Sequence, residues 1–200
     1  MSEKTEQAKE QAQAAIKSVK VCRSLVADLS GSSRKARQDA AAALAQAAKM
    51  KPEKLTPHID AFIDALNRPE AQTRWECLDV LTELVPLESR ACDKALPEAE
   101  VALFDEENGF VRMAATRFLC RLGATTENRS EKVWPLLDEA IQCYHGNYEY
   151  QDMLIAIIGF SEGKLSKSVK KGLKERVTFD AENGKGPLQR RSQQIIDNLK

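Results

Sequence analysis

Apolar residues recur along this chain at helical spacing, in blocks that repeat. A short phrase opens each block: Ala36-Arg37, Thr73-Arg74, Val111-Arg112, Tyr150-Gln151 and Leu188-Gln189. With anchors at 37, 74, 112, 151 and 189 the spacings are 37, 38, 39 and 38 residues, a regularity that marks repetition of one structural unit. Seven residues after each anchor stands a large aliphatic side chain, Leu44, Leu81, Leu119, Ile158 or Ile196, and the residue before it is also apolar: Ala43, Val80, Phe118, Ile157 and Ile195. Three residues after the anchors come Ala40, Cys77, Ala115, Leu154 and Ser192. At 100° per residue these positions share one side of a helix with the residue preceding the anchor, and that side is the predicted core face.

A second amphipathic segment and a punctuated turn precede each block. Gly31-Ser32-Ser33 ends the first long segment and offers Ser33 as a helix N-cap, because its hydroxyl can accept a bond from an otherwise unpaired backbone N–H. Asn67-Arg68-Pro69, Asn108-Gly109, His145-Gly146-Asn147 and Asn183 to Pro187 mark the equivalent turns. The pattern predicts outer helices near 4–29, 57–67, 89–104, 131–144 and 164–178, and inner helices near 33–49, 69–85, 109–122, 148–160 and 187–199. Pro97 and Pro135 are expected to kink two outer helices or shift their starts, since proline lacks the donor and its ring clashes with the preceding turn. No strand is predicted.

The segment Asn108 to Gly123, NGFVRMAATRFLCRLG, resembles the second helix of a HEAT repeat, with its Val-Arg followed by small residues and leucine. Residues 67–85 and 31–48 resemble it less closely. The expected fold is an all-α, right-handed α-solenoid of about five HEAT-like antiparallel helix pairs, one domain over 1–200 with repeats near 4–50, 51–87, 88–124, 125–162 and 163–200. Tetratricopeptide units repeat at about 34 residues, and armadillo or longer HEAT units above about 40, so this period favours short HEAT-like pairs. The turn aspartate of such repeats is replaced by asparagine or missing here, and the last two anchors are glutamine, so a continuous Asp–Arg ladder is not expected.

Composition narrows the function. Hydrophobic residues make up 42% and charged residues 30%, the balance of a folded domain rather than of a disordered tail. The N-terminal MSEKTEQAKE lacks the apolar run of a signal peptide, and Met153 to Ile158 is too short to span a bilayer, so a cytoplasmic, membrane-free location is expected. Five cysteines without a C-x-x-C pair predict buried free thiols, not disulfides or zinc. His58 and His145 fit no metal-ligand spacing, and neither a nucleophile elbow nor a phosphate loop occurs, so no metal, cofactor or enzymatic activity is expected.

Net charge is +0 but unevenly placed: residues 1–59 carry 11 basic and 6 acidic groups, 60–110 carry 4 and 13, and 161–200 carry 10 and 5. An acidic centre works against a continuous phosphate-neutralising track, and hence against nucleic acid. Lys167, Lys170, Lys171 and Lys174 read as the polar face of a terminal capping helix.

If the core face is fixed as above, positions one, five and eight after each anchor lie on the opposite side of the inner helix, looking over the concave surface of such a solenoid. That row reads Gln38/Ala42/Ala45, Trp75/Asp79/Thr82, Met113/Arg117/Cys120, Asp152/Ala156/Gly159 and Arg190/Gln194/Asp197. Trp75, Asp79, Met113 and Arg117 are therefore the candidate partner-binding residues, because tryptophan supplies much apolar area at interfaces. Packing of Trp75 sideways against the next repeat is the competing placement; Trp134, beside Pro135, is expected in the core. The expected role is a non-enzymatic scaffold for a protein or peptide, as a monomer or weak homo-oligomer. The alternative is a nucleic-acid-binding protein similar in kind to the HEAT-like alkylpurine DNA glycosylases, with Trp75, Asp79 and Arg112 across successive inner helices and Tyr150 or Phe160 as a second aromatic.

Overall fold

The computed structural model describes residues 3–200, which form α-helices joined by turns and short 3-10 segments, with no strand among the described residues. The chain divides into two compact units, Met1–Ala115 and Thr116–Lys200. The first holds α1 (Glu3–Lys17), α2 (Val19–Asp28), α3 (Arg34–Met50), α4 (Ile59–Ala65), α5 (Ala71–Cys92) and α6 (Leu96–Leu103), while α7 (Gly109–Gly123) starts in the first unit and ends in the second. The second holds α8 (Glu127–Tyr144), α9 (Tyr150–Ser161), α10 (Lys167–Asn183) and α11 (Pro187–Asn198). All five repeated segments become helices: α3, α5, α7, α9 and α11.

The outer segments depart from the expected map for local reasons. The first is two helices, because Ser18 leaves helical geometry (φ −132°, ψ 113°) and its hydroxyl accepts from the Val21 N–H at 3.4 Å, capping α2. Both α1 and α2 pack on α3, whose Ala40, Ala41, Ala43, Ala45, Ala47 and Ala48 are almost wholly buried and let neighbouring helices approach closely. Helix α5 continues past residue 85 and bends, with Pro86 lacking a donor and Glu88 at φ −139°, ψ 47°. A 3-10 turn, Asp93–Ala95, follows, and Pro97 falls in the first turn of α6, where its missing N–H is harmless. Helix α8 begins four residues earlier than expected, capped by Thr126, so Pro135 lies inside it.

The positions six residues after each anchor are the innermost: Ala43, Val80, Phe118, Ile157 and Ile195 are at most 1% exposed. Leu44, Leu81 and Leu119 are equally buried, but Ile158 and Ile196 are partly exposed, so the core face rotates slightly in the last two repeats. Cys22, Cys77, Cys92 and Cys120 are buried thiols, whereas Cys143 is exposed and corrects the expectation for that residue.

Successive repeats are tied by the anchors themselves. Arg37 forms a two-bonded ion pair with buried Glu70 and donates to the Gly31 carbonyl at 2.7 Å. Arg74 bridges to Asp105 at 2.8 Å, and Arg112 donates to the Asp105 carbonyl at 2.6 Å. In the second unit the roles reverse: Arg191 donates to the Gln151 carbonyl and side-chain oxygen at 2.6 and 3.0 Å. A ladder of anchor contacts thus exists, with acids contributed by Glu70 and Asp105. The hydrogen bond that Arg37 donates holds the Glu70 carboxyl below the usual carboxylate range.

Candidate functional site

The candidate face begins at the loop that starts α7. Asp105 accepts from the Glu107 and Asn108 N–H groups at 3.1 and 2.8 Å, and Asn108 in turn accepts from the Phe110 and Val111 N–H groups at 3.1 and 3.3 Å. These bonds satisfy backbone donors that the helix cannot, and they set Phe110 in its first turn. The Arg74–Asp105 bridge ties the same loop to α5 beside Trp75. The two aromatic rings consequently meet, with centroids 5.3 Å apart and planes tilted by 42°. Such a pair adds about 0.5–1.5 kcal/mol beyond the area it buries.

Trp75 is half-buried and packs sideways on the next repeat's ring, while Phe110 remains 71% exposed. The aromatic pair is therefore anchored on one side and open to solvent on the other. Asp79 lies one turn beyond Trp75 on α5, and Met113 one turn beyond Phe110 on α7; both are partly exposed. Arg117, also partly exposed, follows Met113 by one further turn and belongs to the second unit. Two members of the expected outward row are corrected: Ala45 and Cys120 are only 1% and 2% exposed and face the core.

Phe110 was not among the expected site residues. Its signal lies in the row two residues before each anchor, which reads Lys35, Gln72, Phe110, Glu149 and Pro187. A large aromatic in a row otherwise made of polar residues and proline has no core to explain it.

The aromatics invoked for base recognition do something else. Phe160 is fully buried, and its ring edge would meet a Cβ added at Gly123 at 2.8 Å. Tyr150 is 2% exposed and donates at 3.4 Å to Asp180, a buried carboxylate that His145 also contacts at 3.0 Å. Burial first, and then the Asp180 charge, push the Tyr150 phenol far above its ordinary range, which suits a structural hydroxyl rather than a titrating one. Trp134, expected in the core, is half-buried and lies over Gly172, where an added Cβ would stand 2.9 Å from the indole nitrogen. Among the described residues no group of histidines, cysteines and carboxylates is placed to hold a metal ion, and no helix is long and apolar enough to cross a membrane.

Solved structures of low sequence identity share this architecture. A designed armadillo repeat protein in complex with the peptide (KR)4 superimposes with a TM-score of 0.78 at 16% identity, covering 98% of this chain and 90% of that one. The fold is that of an armadillo/HEAT-like helical-repeat protein. A computationally designed armadillo repeat protein for modular peptide recognition gives 0.76 at 14% identity, covering 98% and 92%. Kap121p bound to Nup53p gives 0.74 at 16% identity, covering 96% of this chain and 21% of the larger protein. No protein-family model and no curated protein sequence matches the chain.

Proposed function

We propose that this helical-repeat protein is a non-enzymatic scaffold that binds a protein or peptide partner on its inner-helix face, through Trp75, Asp79, Phe110 and Met113 of the first unit. The observation that carries the reading is the Trp75–Phe110 pair, held by a loop that the Arg74–Asp105 ion pair ties to α5, yet open on the Phe110 side. A rigid aromatic presented without competing core contacts loses little entropy on binding, which is the property of an interface anchor. Support comes also from the structural neighbours, which include a designed repeat protein holding a peptide and Kap121p holding Nup53p. Free cysteines, four of them buried, suit a reducing compartment, and the cytoplasm is the proposed location.

The test is quantitative affinity purification with wild type, a Trp75→Ala/Phe110→Ala variant and a Phe179→Ala variant. The last removes another exposed ring, 70% exposed on α10, and controls for nonspecific apolar capture. Partners held by wild type and Phe179→Ala but lost with the double variant support the reading. Equal retention by all three proteins removes the aromatic pair from the function.

A further inference from the structure

Helix α10 carries its charge in the wrong place for its own stability. Lys167, Lys170, Lys171 and Lys174 occupy its first eight residues, with no acidic residue in the first turn. The positive end of the helix dipole favours acids there and disfavours lysine. The four ammonium groups also face one another at i,i+3 and i,i+4 separations, where like charges destabilise a helix. At 100° per residue they fall within one arc of about 100°, directed away from buried Val169 and Leu173, with Lys167, Lys171 and Lys174 exposed and half-buried Lys170 at the edge beside buried Val177. Only Lys171 has an acidic neighbour, Glu175 at 3.9 Å; Lys167, Lys170 and Lys174 make no ion pair among the described residues. Arg176, on another side of the helix, is neutralised by Asp138 at 2.7 Å.

We propose that this lysine stripe is a docking surface for an acidic peptide segment of a partner protein, separate from the Trp75–Phe110 face. The stripe spans about 10 Å along the axis, which suits three or four residues of extended chain at about 3.3 Å each. Beyond Lys174 the same arc continues with Thr178 and then Glu182, so the cationic track stops after two turns. A nucleic-acid strand would run on past it into an uncharged and then acidic stretch. A lipid surface fits poorly as well, because the exposed apolar residue of α10, Phe179, sits about 100° round the helix from the stripe and cannot enter a membrane that the lysines lie against. A short acidic segment engages all four ammonium groups without meeting Glu182.

The test is fluorescence anisotropy with a labelled eight-residue poly-glutamate peptide, on the full chain, at low and moderate salt. Wild type and Trp75→Ala are expected to bind it equally, with affinity falling as salt rises. Lys167→Glu/Lys171→Glu/Lys174→Glu is expected to bind about ten-fold more weakly or worse. Its thermal midpoint should stay close to that of wild type, since the reversal places acids at the helix start and opposite charges beside Lys170 but makes the 171–175 pair repulsive; loss of binding at an unchanged midpoint then cannot come from misfolding. Absence of saturable binding by wild type, or equal binding by the triple variant, overturns the proposal. So does tighter, lysine-dependent binding of a single-stranded oligonucleotide, of phosphatidylserine vesicles, or of a second copy of this chain in sedimentation. Loss of peptide binding in Trp75→Ala would instead merge the two surfaces and overturn their separation.

Discussion

Two glycines four residues apart should respond to alanine with opposite signs. A Cβ on Gly163 would stand 2.5 Å from the Cβ of Ala124 and 2.6 Å from its Cα and carbonyl oxygen, distances that real Cβ atoms do not reach. The obstacle is backbone in the turn between α7 and α8, not the end of a flexible side chain. Retreat is blocked as well, because Lys164 donates its N–H to the Ala124 carbonyl at 2.8 Å, tying the two turns together. Overpacking of this kind costs about 1–3 kcal/mol and a weakened backbone bond about 0.5–1.5, so Gly163→Ala should destabilise the second unit by about 2–4 kcal/mol. Gly159 lies in α9, exposed, with nothing within 4 Å of an added Cβ. There alanine should stabilise by about 0.5–1 kcal/mol, by restricting the unfolded chain and favouring helix. The assay is urea unfolding followed by Trp134 emission in a Trp75→Phe background, so that the second unit reports separately. A neutral Gly163→Ala, or shifts of the same sign at both sites, would refute the packing of these turns.

Further expectations concern thiols, acid stability and capping. Burial raises the thiol pKa of Cys22 and, far more, of Cys77 and Cys120, whereas Cys143 is exposed; one equivalent of thiol should react rapidly with Ellman's reagent in the native protein, and five in denaturant. Because Arg37 lowers the Glu70 pKa, the stability this gives is present above the unfolded carboxylate value of about 4.3 and is lost as pH falls through the lower folded value. Glu70→Gln should therefore unfold less steeply with acid below about pH 4 than wild type, measured by circular dichroism, although it is less stable at pH 7. Ser33 accepts from the Ala36 N–H at 3.2 Å, so Ser33→Ala should cost the first unit about 1 kcal/mol in the same urea assay.

The helix pairs were legible because their period is carried by local residues: apolar side chains at helical spacing, and Gly, Pro, Ser and Asn at the turns. The break at Ser18 was not, since a serine in a polar stretch reads equally well as helix interior and as cap until its hydroxyl finds a donor. The anchor ladder was half legible. The arginines stood at the repeat interval, but their acids, Glu70 and Asp105, come from outside the turn positions where such acids are usually sought, and pairing across 33 and 31 residues is a tertiary fact. The outward row failed at Ala45 and Cys120, and Trp75 takes the competing sideways placement against Phe110, because an inner helix is flanked by neighbours on both sides and its solvent-facing arc is narrower than its polar pattern suggests. Phe110 was hidden for a related reason. Its exposure depends on Asn108 and Asp105 fixing where α7 begins, and helix starts are read from sequence only to within a few residues.

The central claim is that the inner-helix face around Trp75 and Phe110 receives the partner. Amide hydrogen exchange on the complex with a partner recovered by affinity purification tests it most directly. Protection gained over residues 71–83 and 109–115, and lost in Trp75→Ala/Phe110→Ala, is the predicted result. Protection confined to other helices, or unchanged by the double variant, would contradict it.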